Sequence, residues 1–139
     1  MLLFAVFTLG ACSEKSDLKL LYGKYAGDYF YVRFAESEHL KSELPIAVEI
    51  DKNKGYFSSG NPDRKPAGGS GKFSLEDENI INFKDKNIWT QDFDARLILN
   101  GRFTYEFKGD SLILTRYVEP CPYCNQLPSF FQYRLKRLD

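Results

Sequence analysis

Residues 102–108 alternate without a fault: Phe103, Tyr105 and Phe107 interleave with Arg102, Thr104, Glu106 and Lys108. Successive side chains of an extended chain point to opposite faces, so a period of two predicts a strand with one face buried and one in water. The same pattern recurs on either side, across residues 71–118. Phe73 and Leu75 alternate with Lys72 and Ser74, and the polar turn Asp77-Glu78-Asn79 leads into Ile81 and Phe83. Ala95, Leu97 and Leu99 alternate next and predict a further strand. Asn100-Gly101 follows, and both positions tolerate positive φ, so a two-residue hairpin turn is expected there. Gly109-Asp110 makes the next turn, and residues 111–118 carry apolar side chains on both faces. The centre of the chain is therefore an antiparallel meander.

The flanks extend it. Gly23-Lys24-Tyr25 opens a long strand to Phe34, with Phe30, Val32 and Phe34 on one face and Tyr29, Tyr31 and Arg33 on the other. Residues 18–22 are apolar and suit a short helical turn or a lead-in to that strand. Residues 36–44 are charged, with Leu40 and Leu44 four apart, which predicts a short helix ended by Pro45. Ile46, Val48 and Ile50 alternate as a strand, and Tyr56-Phe57 form a shorter one. Residues 58–70 are rich in Pro and Gly and read as the longest loop. Residues 85–94 interrupt the meander and carry the single Trp, Trp89, while residues 119–128 form a Pro-rich loop. The last strand is expected over 129–138, where Phe131, Tyr133 and Leu135 alternate with Gln132, Arg134 and Lys136.

Eight or nine short strands with regular turns fit a barrel or a sandwich. Because each strand is followed by its own hairpin, the expected fold is all-β, a small antiparallel up-and-down β-barrel. It closes by pairing the Tyr25 strand with the Ser129 strand. A chain of 139 residues suffices for one such domain. Its aromatic share of 16%, chiefly 12 Phe and 9 Tyr at strand positions, supplies the core. The 19 basic and 19 acidic residues cancel, so the chain lacks the basic field that binding nucleic acid requires.

Residues 2–9 are apolar but shorter than the roughly 20 residues that span a bilayer. They end in Leu9-Gly10-Ala11-Cys12, which resembles the lipobox of bacterial lipoproteins, where the Cys is lipidated and becomes the new N-terminus. The resemblance implies a signal peptide over 1–11, lipid on Cys12, a polar tether over 12–17 and a globular domain over 18–139. Ser13 after the Cys resembles lipoproteins sorted to the outer membrane, which implies a lipid-anchored envelope location. The acidic Glu14 and Asp17 resemble the surface-export tag of Bacteroidetes lipoproteins.

The Gly23-Lys24-Tyr25 opening, the Trp89-Thr90 loop and the pair Leu99-Asn100-Gly101 and Leu114-Thr115 resemble the lipocalin-like lipoproteins of Bacteroidetes bacteria. That resemblance implies a barrel whose interior holds something apolar. The first strand cannot bury both faces in one core layer. Tyr29, Tyr31 and Arg33 are therefore candidate ligand-binding residues, with Trp89 at the rim. Packing of Tyr29 and Tyr31 beneath a loop is the competing explanation. A ligand role requires a cavity on the order of 300 Å³ or more. A second reading makes the protein an interaction module, a hydrolase inhibitor or an envelope-complex subunit, with the 58–70 loop and the Cys121 and Cys124 loop as plugs.

Cys121-Pro122-Tyr123-Cys124 is identical to the active-site string of glutaredoxins. That chemistry needs a strand-to-helix context to lower the thiol pKa. Residues 125–128 are poor helix formers and a strand pattern follows, so a local disulfide between Cys121 and Cys124 is expected instead. A thiol–disulfide redox role is the alternative. Zinc needs four ligands and His39 is the only His, so no metal and no cofactor is expected. Asp92 with Asp94, and Asp77 with Glu78, read as solvated turn acids. Asp51, Asn53 and Gly55 resemble the start of a calcium loop without its terminal Glu. No Ser-His-Asp or Cys-His arrangement can be built around His39, and the expectation is a protein without catalytic residues.

Overall fold

In the computed structural model, eight strands follow one another around a closed barrel, each antiparallel to the next. The strands are β1 (Gly23–Phe34), β2 (His39–Asp51), β3 (Gly55–Ser58), β4 (Gly69–Glu76), β5 (Ile80–Asp85), β6 (Gly101–Lys108), β7 (Ser111–Val118) and β8 (Ser129–Arg137). The structure describes residues 19–34, 39–59, 68–77, 79–91, 95–124 and 126–138, with the backbone alone for 39–42. The expected signal segment 1–11, Cys12 and the tether 12–17 lie outside the described residues. So do Asp92, Asp94, Glu78 and most of the 58–70 loop.

The barrel closes where the alternation placed the seam. β1 pairs with β8 from Tyr25 opposite Arg137 to Arg33 opposite Ser129. Gly27 makes this seam possible. A Cβ there would sit 1.9 Å from the carbonyl oxygen of Arg134, so no larger residue lets the two backbones approach this closely. The inward row of β6 is Phe103, Tyr105 and Phe107, with Arg102, Thr104, Glu106 and Lys108 exposed.

Two expectations need correction. Residues 39–44 are not helical: they are the first half of β2, with His39 opposite Phe34 and Leu44 opposite Tyr29. The end of β1 needs backbone partners, and this stretch supplies them. Pro45 sits inside β2 rather than ending an element. The pairing with β3 reaches back only to Val48, so at Pro45 β2 is an edge, where a missing N–H loses no ladder bond. Residues 95–99 are likewise not a strand. Ala95–Leu97 is a 3-10 turn, and β5 pairs directly with β6, Phe83 lying opposite Gly101. Asn100-Gly101 is therefore no hairpin turn. Gly101 does take positive φ, 93°, but it uses it to swing the chain from the loop into β6.

One end of the barrel is shut. Residues 19–21 are helical and drive Leu21, 0% exposed, into the lower core beside Tyr25, Ile50 and Leu135. Arg137 fastens this plug from the last strand. Its Nη1 and Nη2 donate to the carbonyl oxygens of Leu20 and Tyr22, each at 2.8 Å, and its guanidinium stands 5.9 Å from the Tyr25 ring centre. The Tyr25 hydroxyl adds bonds to the carbonyls of Leu20 and Leu21. Carbonyls at the end of a helical turn lack intrahelical partners, and a basic side chain is a natural donor to them. The turn at the same end, between β2 and β3, is pinned by Asp51, whose Oδ1 accepts from the backbone N–H groups of Asn53 and Lys54 at 2.8 Å. These bonds hold the Asp51 carboxyl below its ordinary pKa and account for the Asp51, Asn53 and Gly55 cluster as a turn.

Candidate functional site

The other end is open and leads into a cavity of about 450 Å³. β1, β3, β5 and β7 all run towards this end and β2, β4, β6 and β8 return from it, and among the described connections Ala95, Arg96, Ile98 and Asn100 of one and Gln126 and Leu127 of another line the opening. The lower wall is aromatic. Tyr29 and Tyr133 face each other across the seam with ring centres 4.7 Å apart, and Phe103 meets Tyr133 edge-on at 5.7 Å. Higher up, Tyr31 stacks on Phe131 at 5.1 Å. Such offset and edge arrangements suit the quadrupoles of the rings and fix their positions.

The 95–99 segment bends over part of the opening. Two phenols hold it from below: the Tyr29 hydroxyl donates to the Arg96 carbonyl and the Tyr56 hydroxyl to the Leu99 carbonyl, both at 2.6 Å. From the side, the Leu99 N–H donates to the Gly68 carbonyl at 2.8 Å. Thus Leu97 and Leu99 are buried although they lie outside any strand. The segment presents Arg96 to the cavity, with its Nη1 donating to the Tyr31 hydroxyl at 3.0 Å and its guanidinium 5.5 Å from that ring centre.

Three arginines line the cavity: Arg33 from β1, Arg96 from the 3-10 turn and Arg116 from β7. Among the described lining residues there is no carboxylate. In a chain of zero net charge this is a local cationic field, and low-dielectric walls concentrate it. Arg116 lies 5.8 Å from the Phe131 ring centre and 6.0 Å from that of Phe103, and its Nη1 donates to the Asn100 carbonyl at 3.1 Å. Two of the lining residues carry a buried polar atom with no hydrogen-bond partner among the described residues, the Nε of Arg33 and the hydroxyl of Tyr133. Burial pushes the Tyr133 phenol well above its ordinary pKa. The nearby Tyr29 and Tyr56 phenols add to this, and the Arg116 charge opposes it.

Of the residues singled out in the sequence, Tyr29 and Arg33 line the cavity. Tyr31 points inward but is spent on Phe131 and Arg96. Trp89 is separate from them: it stands on the loop after β5, half-buried, with its indole N–H donating to the Asp85 carboxylate. Arg96 and Arg116 were missed. Arg116 had a signal, since it falls in phase with the inward Leu112 and Leu114, and a charge in an apolar row marks a lined cavity. Arg96 had none, because its placement depends on a turn that alternation misreads as a strand.

Cys121 and Cys124 are disulfide-bonded, with sulfurs 2.13 Å apart. They lie in a turn closed by the Cys124 N–H to the Cys121 carbonyl at 3.3 Å and the Cys121 N–H to the Gln126 carbonyl at 3.1 Å. No helix follows, and the chain passes into β8. The loop they staple contributes Gln126 and Leu127 to the cavity mouth. Among the described residues no three His, Cys, Asp or Glu side chains come together as a metal site would require. No family model, curated protein or solved structure matches this chain, so the function of the site is argued from its geometry.

Proposed function

We propose that this protein is a non-enzymatic, lipid-anchored envelope lipoprotein that binds a small amphipathic ligand inside its barrel. The observation that supports this reading is the cavity itself. It measures about 450 Å³, within the usual range for small-molecule sites, roughly 300–1,000 Å³. Below it lie the buried Leu21 and the lower aromatic core, and Gln126, Leu127 and the 95–100 segment line its upper part. A barrel that served as a scaffold alone would gain by filling this volume with side chains, since voids forfeit dispersion contacts.

Anchoring rests on the lipobox-like Leu9-Gly10-Ala11-Cys12, and the lipocalin-like lipoproteins of Bacteroidetes are the kind of protein proposed. Two experiments test the two halves. Labelled palmitate should enter the wild type and not the Cys12→Ser variant. The neutral fluorescent probe N-phenyl-1-naphthylamine should bind saturably, one per chain, and Val118→Trp at the cavity wall should abolish it. Binding that is unsaturable, or indifferent to Val118→Trp, removes the ligand reading.

A second reading, an interaction module, draws on two side chains at the open end. Tyr123 and Ile88 are each 99% exposed on loops beside the mouth. Large apolar groups held in water on loops suit contact with a protein partner. A stoichiometric partner captured from envelope extracts by the wild type, and lost with Tyr123→Ser and Ile88→Ser, would favour it.

A further inference from the structure

Building on the cavity as a binding site, we infer that its ligand is an amphiphile with an oxyanion head, received by Arg33, Arg116 and the hydroxyl of Tyr133. The first ground is the pair of orphan polar atoms. Arg33 and Tyr133 line one cavity, and Arg33 Nε and the Tyr133 hydroxyl are both buried with no partner among the described residues. Tyr133 as a whole is only 1% exposed. Buried polar groups in folded proteins are nearly always hydrogen-bonded, so two orphans in one cavity point to a partner that enters it. Nε of a guanidinium can only donate, and a phenol donates readily. The entering group must therefore be an acceptor.

The second ground decides its charge. Arg33, Arg96 and Arg116 face the cavity and no carboxylate is among the described lining residues. A neutral carbonyl would satisfy the donors but leave the field unanswered. An anion adds a Coulombic attraction to the hydrogen bonds that a guanidinium donates, and that attraction grows where water is excluded. The planar fork of a guanidinium matches the geometry of a carboxylate or phosphate, so arginine suits the recognition of such a head.

Arg116 is arranged to take part. One of its nitrogens is engaged by Asn100, and the faces of Phe103 and Phe131 hold the plane without consuming donors. A guanidinium has five N–H donors, so others remain for a ligand. Arg116 and Tyr133 both pack against the Phe103 ring, 6.0 Å and 5.7 Å from its centre, and both line the cavity. The apolar body of the ligand has Ile98, Leu127, Phe103 and Phe131 for its walls. Water can occupy the same polar positions, but it brings no charge and leaves the apolar walls wet.

Titration calorimetry on the full chain carrying Cys12→Ser tests this with three probes of ten carbons each: decanoate, decyl phosphate and 1-decanol. At least one anion should bind about tenfold or more tighter than the alcohol. The tighter of the two anions identifies the head as carboxylate or phosphate. Its affinity should fall as sodium chloride is raised, while that of the alcohol stays level. Arg33→Gln and Arg116→Gln should each weaken the anion by about tenfold and leave the alcohol within about twofold. Tyr133→Phe keeps the ring and its packing, so it serves where an arginine variant fails to fold, and it should also weaken the anion selectively. If the alcohol binds as tightly as both anions, or salt has no effect, the oxyanion inference fails and the cavity survives as a neutral site. If none of the three binds and N-phenyl-1-naphthylamine does not bind either, the ligand-binding reading fails with it.

Discussion

The guanidinium of Arg116 on β7 donates to the carbonyl oxygen of Asn100 across 3.1 Å, tying the loop that covers the cavity to the strand that lines it. Gly101 makes the contact possible. A Cβ there would lie 2.9 Å from Arg116 Nη1, and the residue has φ of 93°. Gly101→Ala should cost about 1–2 kcal/mol from backbone strain alone. It should also displace Arg116 from the mouth. Urea unfolding measures the first effect, and loss of decanoate affinity with decanol unchanged measures the second. A variant that keeps full stability and full affinity would show that the contact is incidental.

Gly27 bears on closure of the whole barrel. Gly27→Ala places a methyl group against the Arg134 carbonyl, a backbone atom that cannot rotate away, so β1 and β8 must separate locally. Overpacking of this kind costs on the order of 1–3 kcal/mol. Faster hydrogen exchange at the β1–β8 amides, with slower change on β4 and β5, is the expected pattern.

Arg137 carries the closed end. Arg137→Ala removes both donors to the Leu20 and Tyr22 carbonyls and should cost about 1–3 kcal/mol. Arg137→Lys should recover only part, because a single ammonium cannot copy the forked geometry. The comparison of the three midpoints in denaturant checks this. Wild-type stability in Arg137→Lys would mean that the fork is unimportant.

The disulfide acts on the mouth rather than on the core. Replacing Cys121 and Cys124 by Ser should lower stability by about 1–3 kcal/mol, since the closed ring is small. The same change should weaken ligand binding, because Gln126 and Leu127 belong to the stapled loop. Thermal unfolding and probe titration on the double variant read both. Unchanged stability together with a reduction potential near roughly −200 mV would instead mark a redox-active pair.

Buried tyrosines set the alkaline limit. Tyr25, Tyr56 and Tyr133 all have pKa values raised in the folded protein, first of all by burial. In the unfolded chain they ionise near about pH 10. Above that pH the unfolded state binds fewer protons than the folded one, so stability is fully present below about pH 10 and falls as pH climbs towards the folded values. Tyr133→Phe removes a buried hydroxyl that has no partner among the described residues, and keeps the ring. It should stabilise the protein by about 1 kcal/mol at neutral pH and flatten the alkaline decline. Denaturant midpoints from pH 7 upward test both effects, and a less stable Tyr133→Phe would mean that the hydroxyl is bonded in solution.

What the sequence determined by itself was the phase of each strand and the closure of the barrel. Phe103, Tyr105 and Phe107 on β6, Tyr29, Tyr31 and Arg33 on β1, and Phe131, Tyr133 and Leu135 on β8 are local patterns, and local patterns survive folding because the pleat dictates them. Pairing and placement were another matter. Leu40 and Leu44 have helical spacing, yet residues 39–44 are strand because β1 leaves backbone groups that only they can satisfy. Ala95, Leu97 and Leu99 alternate as a strand should, yet β5 already occupies the edge of β6, so this segment folds over the mouth instead. The cationic cavity depended on both outcomes. Arg33, Arg96 and Arg116 come from three distant segments, and no spacing in the chain relates them. Only the closed barrel, whose adjacent strands β1, β8 and β7 carry Arg33 and Arg116 to the same end, and the turn held by Tyr29 and Tyr56, bring the three charges to one opening.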